Sequence, residues 1–305
     1  LGPGTGWESQ MVEYPAVIGE NRRLRLFYCG NGYGATGIGT ALSTPLRATA
    51  VRGPSQVQIV SEWLDAQWSL RIPEGLSCDE GFFKIHDHPV VDWHGPDAHG
   101  MIWHEWEAQE TDLVAMRAGP LAISHKLPFI AGLRYRAIVK PDPNGLSLRM
   151  TVMNRSAQTF HNVIGFPCLS AQSEAFQDPE LTRTWIHTAD GLTPLNRTGR
   201  GTVDPRRTHY HIEGQSPLKH YGAFFWGEPS ATVANRNAIL RASADGRFTV
   251  GTAWETAAEI FQNEDSHHCL HSLPAFGDLP PGHTRTVRGR IVLVEGGPDE
   301  ALALL

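Results

Sequence analysis

Apolar residues at every second position constrain this chain more than any other feature. The segments "RLRLFYCG", "QWSLRIP", "GMIWHEWEA", "RYRAIVK", "LSLRMTVMN", "RFTVGTAW" and "TVRGRIVLVEG" all carry the pattern, and a period of two belongs to a strand with one buried face. Between these runs, 31 glycines and 21 prolines gather in clusters such as "KPDPNG", "SADG" and "LPPG", which is turn chemistry. Helical patterns are few, namely "SAQSEAF" and the C-terminal "PDEALALL". Short strands so punctuated predict an all-β chain, a sandwich or a barrel.

A length of 305 residues admits one large all-β unit or two ordinary domains. The polar, proline-broken stretch "STPLRATAVRGPSQ" at 43–56 is the one strong shift in composition. It divides a short glycine-dense β segment, 1–45, from a long region, 46–305.

Charge narrows the partners. The formal net charge is −6, with no block of Lys and Arg, so the sequence lacks the electrostatic footprint of a protein that binds nucleic acid or anionic membrane. A small neutral or polar partner such as a saccharide is expected instead. No stretch approaches the roughly 18 apolar residues of a spanning helix, and the opening "LGPGTGW" has neither the basic start nor the apolar centre of a signal peptide. Cys29, Cys78, Cys168 and Cys269 form no CxxC pair. Each reads as a reduced, buried small hydrophobe, which points to a cytoplasmic compartment.

Residues 7–41, "WESQMVEYPAVIGENRRLRLFYCGNGYGATGIGTA", resemble the closing strands of five-bladed β-propeller glycosidases of the family 43 and 32 type. The resemblance covers about one blade. It implies no activity, because the family's catalytic carboxylates sit on other blades; Glu8, the one residue placed like such a carboxylate, reads as a strand-edge charge.

The stretch "LSLRMTVMNRSAQTFHNVIGFPCLS" at 146–170, "GLTPL" at 191 and "LPPGHTRTVRGRIVL" at 279–293 resemble the galactose-mutarotase-like sandwich over about residues 57–295. That resemblance implies a large antiparallel β-sandwich, a mutarotase-like supersandwich, whose concave face binds a sugar. The departures are chemical. Phe166 stands where the epimerases carry the histidine of "HPY", and "CLHS" with His271 stands where a catalytic glutamate is expected. Mutarotation is therefore not expected; a groove with different chemistry is.

Histidine clusters supply that chemistry. His86 and His88 in "IHDHP" leave one face of a strand and can share a transition metal such as zinc; with Asp92 their spacing resembles the first cupin motif, though Asp92 itself reads as a turn residue. His271 in "NEDSHHCLHS" suits a general acid/base or a third ligand. His209 and His211 in "HYH" read as solvated. In "MIWHEW", His104 and Trp106 share one face while Trp103 and Glu105 share the other, and Trp254 lies beside Glu255 in "TAWET". The tryptophans and His104 are expected to line a saccharide groove, and Glu105 or Glu255 to act as base. No phosphate-binding Gly-rich loop, G-x-S-x-G elbow or HExxH is present, which leaves nucleotide hydrolysis, serine esterase and zincin chemistry without support.

The sequence thus predicts a carbohydrate-active hydrolase or lyase using His86, His88 and His271, with a divalent metal. Two alternatives stand beside it: a noncatalytic carbohydrate-binding module, needing only the tryptophans, and a metal-dependent hydrolase of non-sugar esters or phosphoesters.

Overall fold

A computed structural model describes residues 6–20, 23–52, 55–84, 92–97, 99–107, 132–200, 206–215, 228–264 and 267–305. Two large sheets dominate it. The nine-stranded sheet runs in the order Gly191–Pro194, Thr184–Thr188, Ala238–Ala242, Phe248–Trp254, Thr284–Glu295, Gly145–Asn154, Leu133–Asp142, Ile102–Glu107, Trp93–His94. The main path of the eleven-stranded sheet runs Glu228–Pro229, Arg207–His211, Ala257–Asn263, Cys269–Leu279, Cys168–Ala171, Gln67–Arg71, Gln56–Ser61, Leu46–Ala50. Strands Phe160–Gly165, Gly75–Cys78 and Gly81–Lys84 join this sheet off that path.

Alternation decides what each sheet buries. Val57, Ile59, Trp68, Leu70, Leu169 and Leu270 from one sheet meet Tyr135, Val139, Leu148, Met150, Ile291 and Leu293 from the other in a single core, each at most 2 % exposed. Burying one such side chain stabilises the fold by roughly 1.5–3 kcal/mol, and the core therefore locks the two sheets face to face. The two sheets form a large antiparallel β-sandwich; among the described residues Arg207–His211 runs parallel to Glu228–Pro229. Of the two helical expectations, Pro298–Leu302 is an α-helix, while "SAQSEAF" yields only the 3₁₀ turn Glu174–Phe176.

Gly289 shows why one position in a long strand lacks a side chain. A Cβ there would sit 2.6 Å from the Trp254 ring, which packs against the strand Thr284–Glu295 at that position. A buried ion pair also ties the sheets: Arg241 of the nine-stranded sheet donates to Glu264 Oε2 at 2.6 Å, to Thr184 Oγ1 at 2.8 Å and to the carbonyls of Phe176 and His268.

The N-terminal strands Glu13–Glu20, Arg23–Cys29 and Ile38–Leu42 form their own antiparallel sheet. Trp7 stacks on Tyr28, and Glu8 accepts the Tyr28 hydroxyl at 2.7 Å, a structural contact for the residue placed like a glycosidase carboxylate. Arg23 reaches the sandwich, donating to Asn144 at 2.8 Å and lying over Trp63. Among the described residues no helix is long and apolar enough to cross a membrane.

Candidate functional site

Five neighbouring strands of the eleven-stranded sheet set four polar side chains and one phenylalanine in one row. Arg71 pairs with Cys168, Leu169 with Leu270, Phe261 with His271, and His209 with Phe261. The antiparallel register thereby puts Cys168 across from His271. Arg71, Cys168, His271, Phe261 and His209 share one face, since side chains alternate along each strand. Their neighbours Leu70, Leu169, Leu270, Ile260 and Tyr210 belong to the core on the other.

At the centre of the row the Sγ atoms of Cys168 and Cys269 lie 2.9 Å apart. With His271 they form a buried group whose ligand atoms all fall within 4.8 Å of one another. His271 Nδ1 is 3.0 Å from the Phe261 carbonyl. A carbonyl only accepts, so Nδ1 carries the proton and Nε2 holds the lone pair in the neutral ring. Burial, the largest influence, pushes the imidazole down to about 4. Nε2 faces Glu74 Oε2 at 4.0 Å, and Arg71 holds the other oxygen of that carboxylate at 2.9 Å. The Cys168 thiol is pushed well up by its contact with Cys269 and by burial.

Further along the row the fully buried His209 stacks on Phe261 at 4.2 Å, and its Nδ1 lies 3.0 Å from Glu259 Oε2. On the side of the cysteines a cavity of about 230 Å³ opens, lined by Gln56, Gln58, Ser69, Arg71, Ser170 and Gln172 together with Cys168, Cys269 and His267. Amides, hydroxyls and a guanidinium are groups that hydrogen-bond a polyhydroxylated ligand, and the volume lies at the small end of ligand pockets.

The expected site residues divide. His271 takes the central place. His86 and His88 lie outside the described residues, as does the side chain of Trp106, whose backbone belongs to the strand Ile102–Glu107. Glu255 sits beyond the strand Phe248–Trp254 of the other sheet, paired with Arg288 at 3.3 Å. Glu105, on the outward face of that sheet, pairs with Arg134 and with Arg136. Neither joins His271 in the polar row.

Trp254 is 2 % exposed and part of the core, so its ring offers no face to a ligand. Trp103 carries the His94 ring at 4.0 Å and the Arg136 guanidinium at 4.0 Å, which leaves little of the indole for a sugar. His104 is fully buried. Its Nε2–H donates to the Ile72 carbonyl at 3.1 Å, which leaves Nδ1 to accept the Tyr135 hydroxyl at 3.0 Å.

Two further expectations are corrected. "HYH" is not a solvated connection: Thr208, His209 and Tyr210 are buried, because their strand is inserted beside Ala257–Asn263. Cys168 and Cys269 are more than separate core hydrophobes, since their strands are neighbours and both thiols lie on the polar face. Glu74 and Arg71 carried no local signal; only the pairing of Gln67–Arg71 with Cys168–Ala171 brings them to His271.

No protein-family model matches the chain, and no curated protein matches it. Solved structures similar to it include a protein from Synechocystis, with a TM-score of 0.48 at 8 % identity over 92 % of this chain and 96 % of that one. A galactose mutarotase-like protein from Lactobacillus casei has a TM-score of 0.46 at 12 % identity over 92 % of this chain and 100 % of that one. The α-N-acetylgalactosaminidase NagBb from Bifidobacterium bifidum, in complex with GalNAc, has a TM-score of 0.48 at 12 % identity over 85 % of this chain and 36 % of that one.

Proposed function

We propose that the chain is a carbohydrate-active hydrolase or lyase whose chemistry is carried by the cluster of Cys168, Cys269, His271 and Glu74, of which the two cysteines line the polar cavity. The observation that carries this reading is the meeting of two thiols, an imidazole lone pair and an Arg-held carboxylate beside a cavity lined by amides and hydroxyls.

Two sulfurs and one imidazole nitrogen suit zinc among the divalent metals, and three protein donors are the number found where one position stays open for substrate. Bound there, zinc would supply Lewis-acid polarisation of a substrate oxygen. The remaining steps belong to this chain. The Phe261 carbonyl holds His271 in the tautomer that points its lone pair at the cluster. Arg71 fixes the Glu74 carboxylate, which takes the proton from attacking water or from the sugar carbon as the C–O bond to the leaving sugar breaks, and the resulting carboxylic acid returns that proton to the departing oxygen. Gln56, Gln58 and Ser69 orient the ring's hydroxyls.

The test is metal analysis of protein purified without a His-tag column, together with turnover of a panel of neutral and uronate-containing polysaccharides. One zinc per chain is expected, falling to a trace in Cys168→Ser and His271→Ala. In Glu74→Gln the zinc should stay and turnover should fall by about 10²–10⁴-fold, the usual worth of a positioned acid or base. Saccharide binding without turnover would replace this reading with the noncatalytic module. Turnover of aryl esters or phosphoesters alone would favour the non-sugar hydrolase. A metal-free protein with Cys168 and Cys269 joined as a disulfide would sink the cluster's role.

A further inference from the structure

On the opposite side of the molecule, the outward face of the nine-stranded sheet forms a groove of about 1100 Å³. Two cross-strand rows make its floor. Arg149 stands directly across from Arg288, with Ile138 on the other side of Arg149. In the next row, Lys140 and Arg290 flank Ser147, and Ala253 follows Arg290. Arg236 lies at the rim, and Leu302 and Leu305 of the C-terminal segment close one end.

The charge is one-sided. Lys140, Arg149, Arg236, Arg288 and Arg290 line the groove against two carboxylates, Glu255 and Asp299, in a chain whose net charge is −6. Glu255 is taken by Arg288, and Arg290 is held by Asp142 at 3.0 Å and by the Leu304 carbonyl at 2.8 Å. Arg149 and Arg236 make no ion pair among the described residues and are exposed. Like charges directly opposite on neighbouring strands repel, so the Arg149/Arg288 pair gains most from an anion placed between the two guanidiniums.

We infer that this groove binds an anionic oligosaccharide, a chain of uronate-type sugars, at a second site separate from the polar cavity. Guanidinium forks match planar carboxylates, and the small floor residues Ser147 and Ala253 let a flat ring lie close to the strands. Two other polyanions fit less well. Single-stranded nucleic acid needs aromatic platforms, and among the described residues the one aromatic bordering the groove, Trp254, is buried in the core. A peptide adding to a sheet needs an open edge, whereas the strands beneath the groove's floor are paired on both sides. The inference shares with the proposed function only the choice of a saccharide, and its readout is binding rather than turnover, so either can fail alone.

Calorimetric titration with a homogalacturonan oligosaccharide tests it, with the fully methyl-esterified oligosaccharide, a heparin fragment and polyglutamate as competitors. Binding that weakens with added salt is expected, and Arg149→Ala should weaken it at least about ten-fold, as loss of a charged hydrogen bond does. Arg236→Ala, at the rim, should weaken it less and supplies a second variant should the first fold poorly. His271→Ala should bind as the parent does. Equal affinity for the esterified oligosaccharide, an unchanged Arg149→Ala, or tighter binding of heparin or polyglutamate would overturn the assignment.

Discussion

The two sheets turn opposite kinds of outer face away from their shared core. Across the eleven-stranded sheet run buried donors with few formal charges: thiols, an imidazole kept neutral by burial, and one His209/Glu259 pair sealed from water. Across the nine-stranded sheet run solvated ions, with the Arg288/Glu255 side chains 70 % and 52 % exposed. The same strand period builds both. What differs is hydration, and hydration decides whether a polar group is a cheap surface feature or a costly one needing a purpose. On this reasoning the proposed chemistry falls on the first face and the inferred capture of an anion on the second.

The contrast breaks most sharply where a charge lies between the sheets. Arg241 and Glu264 are both essentially inaccessible, at 1 % and 0 % of their side-chain surface. Replacing Arg241 with Met leaves the Glu264 carboxylate buried without its cation, and loss of one partner of such a pair costs about 3–5 kcal/mol. Urea unfolding of Arg241→Met against the parent measures it. A loss below about 1 kcal/mol would mean that water reaches Glu264 and that the burial contrast is overstated.

Much of this architecture was legible in the sequence, because strand alternation is a local property: residues such as Leu148, Met150 and Val152 announce their buried face in one short run. The site was less legible, because it is made of register. Cys168 and His271 lie about a hundred positions apart in sequence and meet only through the pairing of their strands. His271 was found from its position in a resemblance, whereas Cys168, Cys269 and Glu74 had no spacing to betray them. Aromatic residues misled for a related reason: a tryptophan beside a carboxylate reads alike on a binding wall and in a core. At Trp254 the local pattern fits both, and only Gly289 across the strand settles the ring inward. The N-terminal sheet reverses the rule, with Tyr14, Val17, Leu24 and Ile38 among its exposed residues, so alternation there marks strands without marking a buried face.

Acid should expose the next difference. Burial pushes His104 from 6.5 down to about 3. In the unfolded chain the imidazole gains its proton near 6.5, while the folded one refuses it until about 3, so the unfolded state binds more protons in between. Stability is then full above about pH 6.5 and falls as pH drops toward 3, by about 1.4 kcal/mol per pH unit for such a group. Denaturant midpoints measured at pH 7 and pH 5 give the slope, to which the buried His209 and His271 also contribute, and His104→Phe should lessen it by one group's share while losing the hydrogen bonds to Ile72 and Tyr135. An unchanged slope in that variant would show that His104 already titrates normally and is wetted.

The smallest effect is expected on the cationic face. Arg288 pairs with Glu255 at 3.3 Å, but with both side chains more than half exposed the attraction is screened and offset by lost side-chain freedom. Arg288→Ala should shift the urea midpoint by no more than about 0.5 kcal/mol equivalent, and Arg149→Ala, which removes one member of a like-charge pair, should be neutral or slightly stabilising. Both shifts should shrink further in high salt. A loss above about 2 kcal/mol in Arg288→Ala would show that these arginines hold the sheet together, and the division between a face built for chemistry and a face built for capture would have to be abandoned.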